Sequence, residues 1–182
     1  MSVPSASSLA VTAAIWCALV ARVSSQPTAV SDFYCENSYT NFAAGYQHSG
    51  TYVDGQGRVF AFGSESPDST VKPWQPKQPD LPTQQELEAK YNHDRHQVGT
   101  IDAATLTQVR RWLADARNGS LSKKAQRGAD RGSIASQCWI REGSRDGYRE
   151  IELAIDGDWS YTNTTPAAAE LTRWLQSLAK KK

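Results

Sequence analysis

The stretch YREIELAI, residues 148–155, decides how the chain is read. Ile151, Leu153 and Ile155 alternate with Glu150, Glu152 and Ala154. A period of two places the branched side chains on one face of a strand and the carboxylates on the other, so the sheet has one buried and one wet face. Upstream, SQCWIR (136–141) reads as the partner strand, reached through the turn EGSRDG. Downstream, Asp156-Gly157 breaks the pattern and DWSYT adds a short strand. Nearer the start, DFYCENSY (32–39) has the aromatics of another strand. GTYVDGQGRVFAFGS (50–64) reads as a hairpin turning over Asp54–Gly57, with Asp-Gly supplying a positive φ.

Helical signals lie between and after these hairpins. Thr83 with Glu86 makes a capping box, Leu87 and Tyr91 share a face, and HDRHQVG (93–99) ends that helix. Asp102 caps a second helix with the stripe Leu106, Val109, Leu113 and Trp112 at its edge, stopped by Asn118-Gly119. A third starts near Thr165 and Pro166 and carries Leu171, Trp174, Leu175 and Leu178. The expected fold is α+β: a mostly antiparallel sheet of four to five strands in the order ββ-αα-ββ-α, with the helices packed on one face. The single globular domain covers 32–179, after a lead-in over 26–31 and before a basic tail at 180–182.

Leu9–Ala21 is apolar except for Thr12 and too short to span a bilayer of ~30 Å as a helix. With Val23 and Ser25 at the positions a signal peptidase reads, residues 1–25 read as a signal peptide, although its start has no Lys or Arg. An uncleaved anchor is the alternative. Trp16 before Cys17 excludes a lipoprotein signal. Cleavage removes Arg22 and no acid, so Lys plus Arg falls from 20 to 19 against 19 Asp plus Glu. A neutral chain is a poor general polyanion binder, and no nucleic-acid partner, no cofactor and no membrane contact after cleavage are expected. Cleavage also leaves two cysteines, Cys35 and Cys138. In an oxidising compartment they form one disulfide, and no paired spacing suggests zinc. Asn118 and Asn163 match the N-glycosylation acceptor pattern.

KPWQPKQPDLP (72–82) has proline at every third position, within a proline-rich connection over 67–82. Polyproline II has three residues per turn, so the prolines share one edge. The segment reads as a rigid strap pinned by Trp74. A ligand for a proline-reading domain and a tryptophan-lined groove are the alternatives.

Among residues with chemistry, His93 and His96 are three apart and suggest a metal-assisted site, but no third ligand is named. His48 beside Ser49 makes no dyad on a strand, and it reads as a surface histidine. Glu150 with Glu152 reads as the wet side of the sheet near Arg141 or Arg149, and Asp156 with Asp158 reads as a turn. The segment 117–133 reads as a basic loop, with Lys123, Lys124 and Arg127 a candidate anion-binding or partner surface. The functional expectation is therefore a secreted, non-enzymatic binding domain meeting an extracellular protein or an anionic glycan. The alternative is a small extracellular hydrolase using His93 and His96.

Overall fold

A computed structural model describes residues 30, 32–43, 45–63, 73–75, 81–141 and 147–180. Strands β1 (Phe33–Asn41), β2 (Gln47–Asp54) and β3 (Arg58–Gly63) form a meander. They are followed by α1 (Gln84–Lys90), β4 (His96–Thr100), α2 (Ala103–Ala116), β5 (Ala125–Gln126), β6 (Ser133–Arg141), β7 (Tyr148–Gly157), β8 (Trp159–Thr162) and α3 (Pro166–Ala179). All the strands join one antiparallel sheet in the order β4-β3-β2-β1-β6-β7-β8-β5.

β1 lies inside this sheet, paired to β2 on one side and β6 on the other. Its first four residues, Phe33 to Glu36, are all buried. Consecutive burial in a strand means that both faces are covered. Phe33 and Cys35 face the cluster built with Val53, Val109, Leu113 and Leu171, beneath α2 and α3. Tyr34 faces the opposite cluster, with Tyr52, Leu87, Tyr91, Trp139 and Tyr148, beneath α1. The half-wet face survives around Glu150 and Glu152, opposite buried Ile151 and Leu153.

The expected sheet of four to five strands in ββ-αα-ββ-α order, with helices on one face, is therefore corrected. Among the described residues the sheet has eight strands, and α1 packs on the face opposite α2 and α3. Two strands left no period to read. β4 falls on HQVGT, where the end of the first helix was expected. Asp94 takes a positive φ of 50°, and the following residues pair with β3. All five β4 residues are exposed, so no apolar alternation marks them. β5 is only two residues long and lies inside the basic segment.

The local signals fared better. The Thr83 and Glu86 capping box forms, Asp102 caps α2, and Thr165 with Pro166 starts α3. The β2–β3 turn is where expected, but its positive φ is at Gly57 (80°), not at the Asp-Gly pair. The Asp54 carboxylate organises that turn by accepting the N–H of Gln56 and Arg58 and the Arg58 guanidinium.

Cys35 and Cys138 oppose one another in the β1–β6 register and are joined by the expected disulfide, 103 residues apart in sequence. Among the described residues, no helix is long and apolar enough to cross a membrane. The expected signal peptide, and the 67–82 connection apart from residues 73–75, 81 and 82, lie outside the described residues. Replacing both cysteines with alanine should lower unfolding free energy by about 4–5 kcal/mol, on the chain-entropy scale for a loop of this length. Urea unfolding of the oxidised protein and the double variant, each extrapolated to water with its own slope because the freed denatured chain is more expanded, measures the difference.

Candidate functional site

The densest group of polar and charged side chains is on the α1 face of the sheet. Glu36 of β1 is fully buried. Its Oε1 accepts hydrogen bonds from Lys90 Nζ (2.9 Å), Gln137 Nε2 (2.7 Å) and Ser38 Oγ (2.9 Å), and its Oε2 is 2.9 Å from the same ammonium. The register explains the convergence, because Gln137 is the β6 partner of Glu36 and Ser38 is two residues along the same face. Lys90 reaches down from the last turn of α1, where it shares a stripe with Leu87 and Tyr91.

Burial works to raise the Glu36 carboxyl. The Lys90 charge, His48 and hydrogen bonds outweigh it, so Glu36 is held below its ordinary range and ionised. Burial works to lower the Lys90 ammonium, and Glu36 opposes that shift. Three aromatic rings surround the ammonium. It lies 3.8 Å from the Trp139 centroid, 5.1 Å from Trp74 and 5.3 Å from Tyr91. Cation–π contact of this kind replaces part of the lost hydration.

His48 borders the group. Its ring meets Phe62 edge-on at 5.0 Å and lies 6.0 Å from Tyr46. The surface position expected for it is thus corrected to a half-buried one. Burial first, and Lys90 second, push its pKa down to about 4, against the opposing pull of Glu36. It is neutral at pH 7. The arrangement combines an acid, a base and an imidazole, but the acid and the ammonium are sealed from solvent. Its chemistry is cohesion: it holds α1 to the sheet.

The Glu36–Lys90 pair itself is not among the residues singled out by the sequence, although Trp74, Tyr91 and His48 beside it are. A signal was present in Lys90, a charged residue three positions after Leu87 on the apolar side of a short helix. Glu36, in a strand otherwise read from its aromatics, was the other.

The candidates chosen from sequence are scattered. Trp74 is half-buried and turned onto the body, with its indole N–H donating to Glu86 O at 3.0 Å and its ring edge-on to Trp139. His93 and His96 are both exposed. His93 Nε2 lies 3.5 Å from Asp94 Oδ2, and His96 Nδ1 contacts Asp94 O. Among the described residues, no three His, Cys, Asp or Glu side chains group as metal ligands, so the hydrolase alternative gains no support. Arg141 and Arg149 have partners outside the Glu150–Glu152 pair. Arg141 bonds the Tyr148 hydroxyl and Asp32, and Arg149 Nη1 donates to Arg117 O. Glu152 accepts the Tyr161 hydroxyl.

The basic loop contains β5 and is tied to β8. β5 pairs with β8, Ser122 N–H donates to Thr162 O, and Asp158 accepts the N–H of Arg127 and Arg131. Lys123, Lys124, Arg127 and Arg131 are exposed along this edge, with Lys124 also lying 4.6 Å over the Tyr161 ring. Asn118 is exposed. Asn163 is buried: its Nδ2 donates to Ala116 O and Glu152 O, and its Oδ1 accepts from Thr165. A Cβ at Gly119 would come within 2.1 Å of that Oδ1, so the end of α2 is fitted to Asn163. A glycan on the Asn163 nitrogen would have to open this packing.

Searches against protein-family models, curated proteins and solved structures found no match.

Three outcomes follow from this geometry. Lys90→Ala leaves a buried carboxylate without its cation and should cost about 3–5 kcal/mol, whereas Glu36→Leu/Lys90→Met should cost much less. Comparing the two in urea separates an isolated buried charge from a loss of packing. Asn163→Ala should cost about 1–3 kcal/mol by leaving backbone carbonyls unpaired. For pH, the unfolded chain holds a proton on His48 below its usual 6.5, while the folded chain refuses it down to about 4. Stability is therefore full above pH 6.5 and falls toward pH 4 by up to about 3 kcal/mol. Below pH 4.5 the depressed Glu36 carboxyl adds a loss of the same sign. Thermal melts of His48→Phe should be flatter than those of the parent between pH 6.5 and 4.

Proposed function

We propose that this protein is an exported, non-enzymatic binding domain that uses the basic β5 edge to hold an anionic glycan or a similar extended polyanion. The observation that supports this reading is the row of exposed cations Lys123, Lys124, Arg127 and Arg131 along one edge. The edge is fixed by the β5–β8 pairing and by Asp158. The acid within the same stretch is Asp130. A fixed row of like charges orients a linear anion with little ordering cost, and attraction at a surface persists over about 8 Å at physiological salt. A neutral total charge makes the contact local: the rest of the molecule does not add to it.

Export is supported by the apolar leader in the sequence, by the disulfide and by the lack of a membrane-crossing helix among the described residues. The binding role is supported by the closure of the Glu36–Lys90 centre, which leaves its acid and ammonium unavailable to a substrate.

Lys123→Glu/Lys124→Glu/Arg127→Glu tests the surface on a sulfated-glycan column. The parent should be retained at about 0.15 M salt, and the triple variant should lose at least about tenfold in affinity, with a shallower salt dependence. Equal retention of the two proteins removes this edge as the contact. Circular dichroism and a thermal melt of the variant check that the fold as a whole is kept.

A further inference from the structure

We infer that β4, at the opposite end of the sheet, is a docking edge for an extended segment of a partner protein whose apolar residues alternate with acidic ones. This goes beyond the basic-edge reading and does not depend on it.

β4 is a terminal strand, and its outer side has no strand partner among the described residues. All five of its residues are exposed, and a Cβ placed on Gly99 would meet nothing within 4 Å. HQVGT contains neither the lysine nor the proline that commonly blunts such an edge. Local side chains provide what cover there is. The Gln97 amide donates to Gly99 O at 3.3 Å, and the His96 ring contacts Asp94 O at 3.0 Å. Both side chains are exposed and free to give way to a main-chain partner. The two-residue β5 at the other end of the sheet is too short to guide a strand.

The two faces beside β4 differ in chemistry. On the α2–α3 side a groove of about 490 Å³ runs past the edge, lined by Val59, Val98, Ile101, Trp174 and Leu178. The register shift between Val59 and Phe60 leaves Val98 as the extra residue of β4, and Val98 is 48% exposed. On the α1 side the Phe60 ring is flanked by two guanidiniums, Arg58 at 5.5 Å and Arg95 at 5.8 Å. Arg58 is already paired with Asp54. Arg95 has no carboxylate in ion-pair range among the described residues.

A strand added to β4 presents successive side chains to these two faces in turn. Apolar residues would enter the groove, and acidic residues would meet Arg95. A second copy of this chain fits less well, because β4 contains no carboxylate to supply that charge.

The test uses the purified protein and a fluorescein-labelled nine-residue peptide of alternating valine and glutamate, followed by anisotropy. Saturable binding is expected, weakened about tenfold or more by lysine in place of glutamate, by N-methylation of alternate backbone amides, and by Val98→Asp. Arg95→Glu should reverse the preference, so that the lysine peptide binds better. Two of these changes lie in the peptide, which keeps the answer independent of how the variants fold. The proposal is overturned if nothing saturates below about 1 mM, or if peptides N-methylated in either phase bind like the parent. It is also overturned if Val98→Asp and Arg95→Glu leave binding unchanged. Sedimentation showing a dimer that Val98→Asp dissociates, and that the peptide does not displace, would assign the edge to a second copy instead.

Discussion

A carboxylate buried in the middle of a sheet demands a counter-charge, and in this protein that demand shapes one whole side of the molecule. Glu36 lies in β1, between the two halves of the sheet, and is closed off from water. The cation that answers it comes from α1, 54 residues along the chain. To deliver Lys90, α1 must lie across the face opposite the other two helices. Once there, it brings Leu87 and Tyr91 onto Trp139, Tyr148 and Tyr34, and the second aromatic cluster closes. Hydrophobic residues of equal volume would often be as stable as such an ion pair or more so. What the pair adds is selectivity of placement: a greasy face accepts α1 in several positions, whereas the Glu36 carboxylate accepts Lys90 in one.

The two edges of the sheet are managed differently. β5 is short and flanked by Lys123, Lys124 and Arg127, an arrangement that discourages pairing with other strands. β4 is longer, carries an apolar groove beneath it and, among the described residues, has local side chains for cover. The two proposed contacts, one for charge and one for backbone, lie at opposite ends of the strand order.

Much of the framework was legible in the sequence because its signals are local. Capping residues at Thr83, Asp102 and Thr165 act within one helical turn, and the Ile151 and Leu153 alternation is a property of one strand. The disulfide followed from cysteine arithmetic once the leader was read as removable. What was not legible depends on distant partners. Lys90 and Glu36 look like surface residues until the fold brings them together, and His48 looks exposed until Tyr46 and Phe62 close on it. β4 has no pattern of its own, because its hydrogen bonds to β3 hold it rather than any buried side chain. Asn163 matched a short acceptor motif, yet it serves as a joint between α2, β7 and α3.

The position of β1 also bears on how the chain is born. Synthesis releases the β1–β3 meander first, but the neighbour that completes β1 is β6, nearly 100 residues later. Until then β1 has an unpaired edge, although Lys90, which answers Glu36, is made before β6. Contacts of such long sequence span are slow to form, and the waiting meander is prone to stick to others like it. The long wait for β6 is thus the aggregation-exposed stage of this fold.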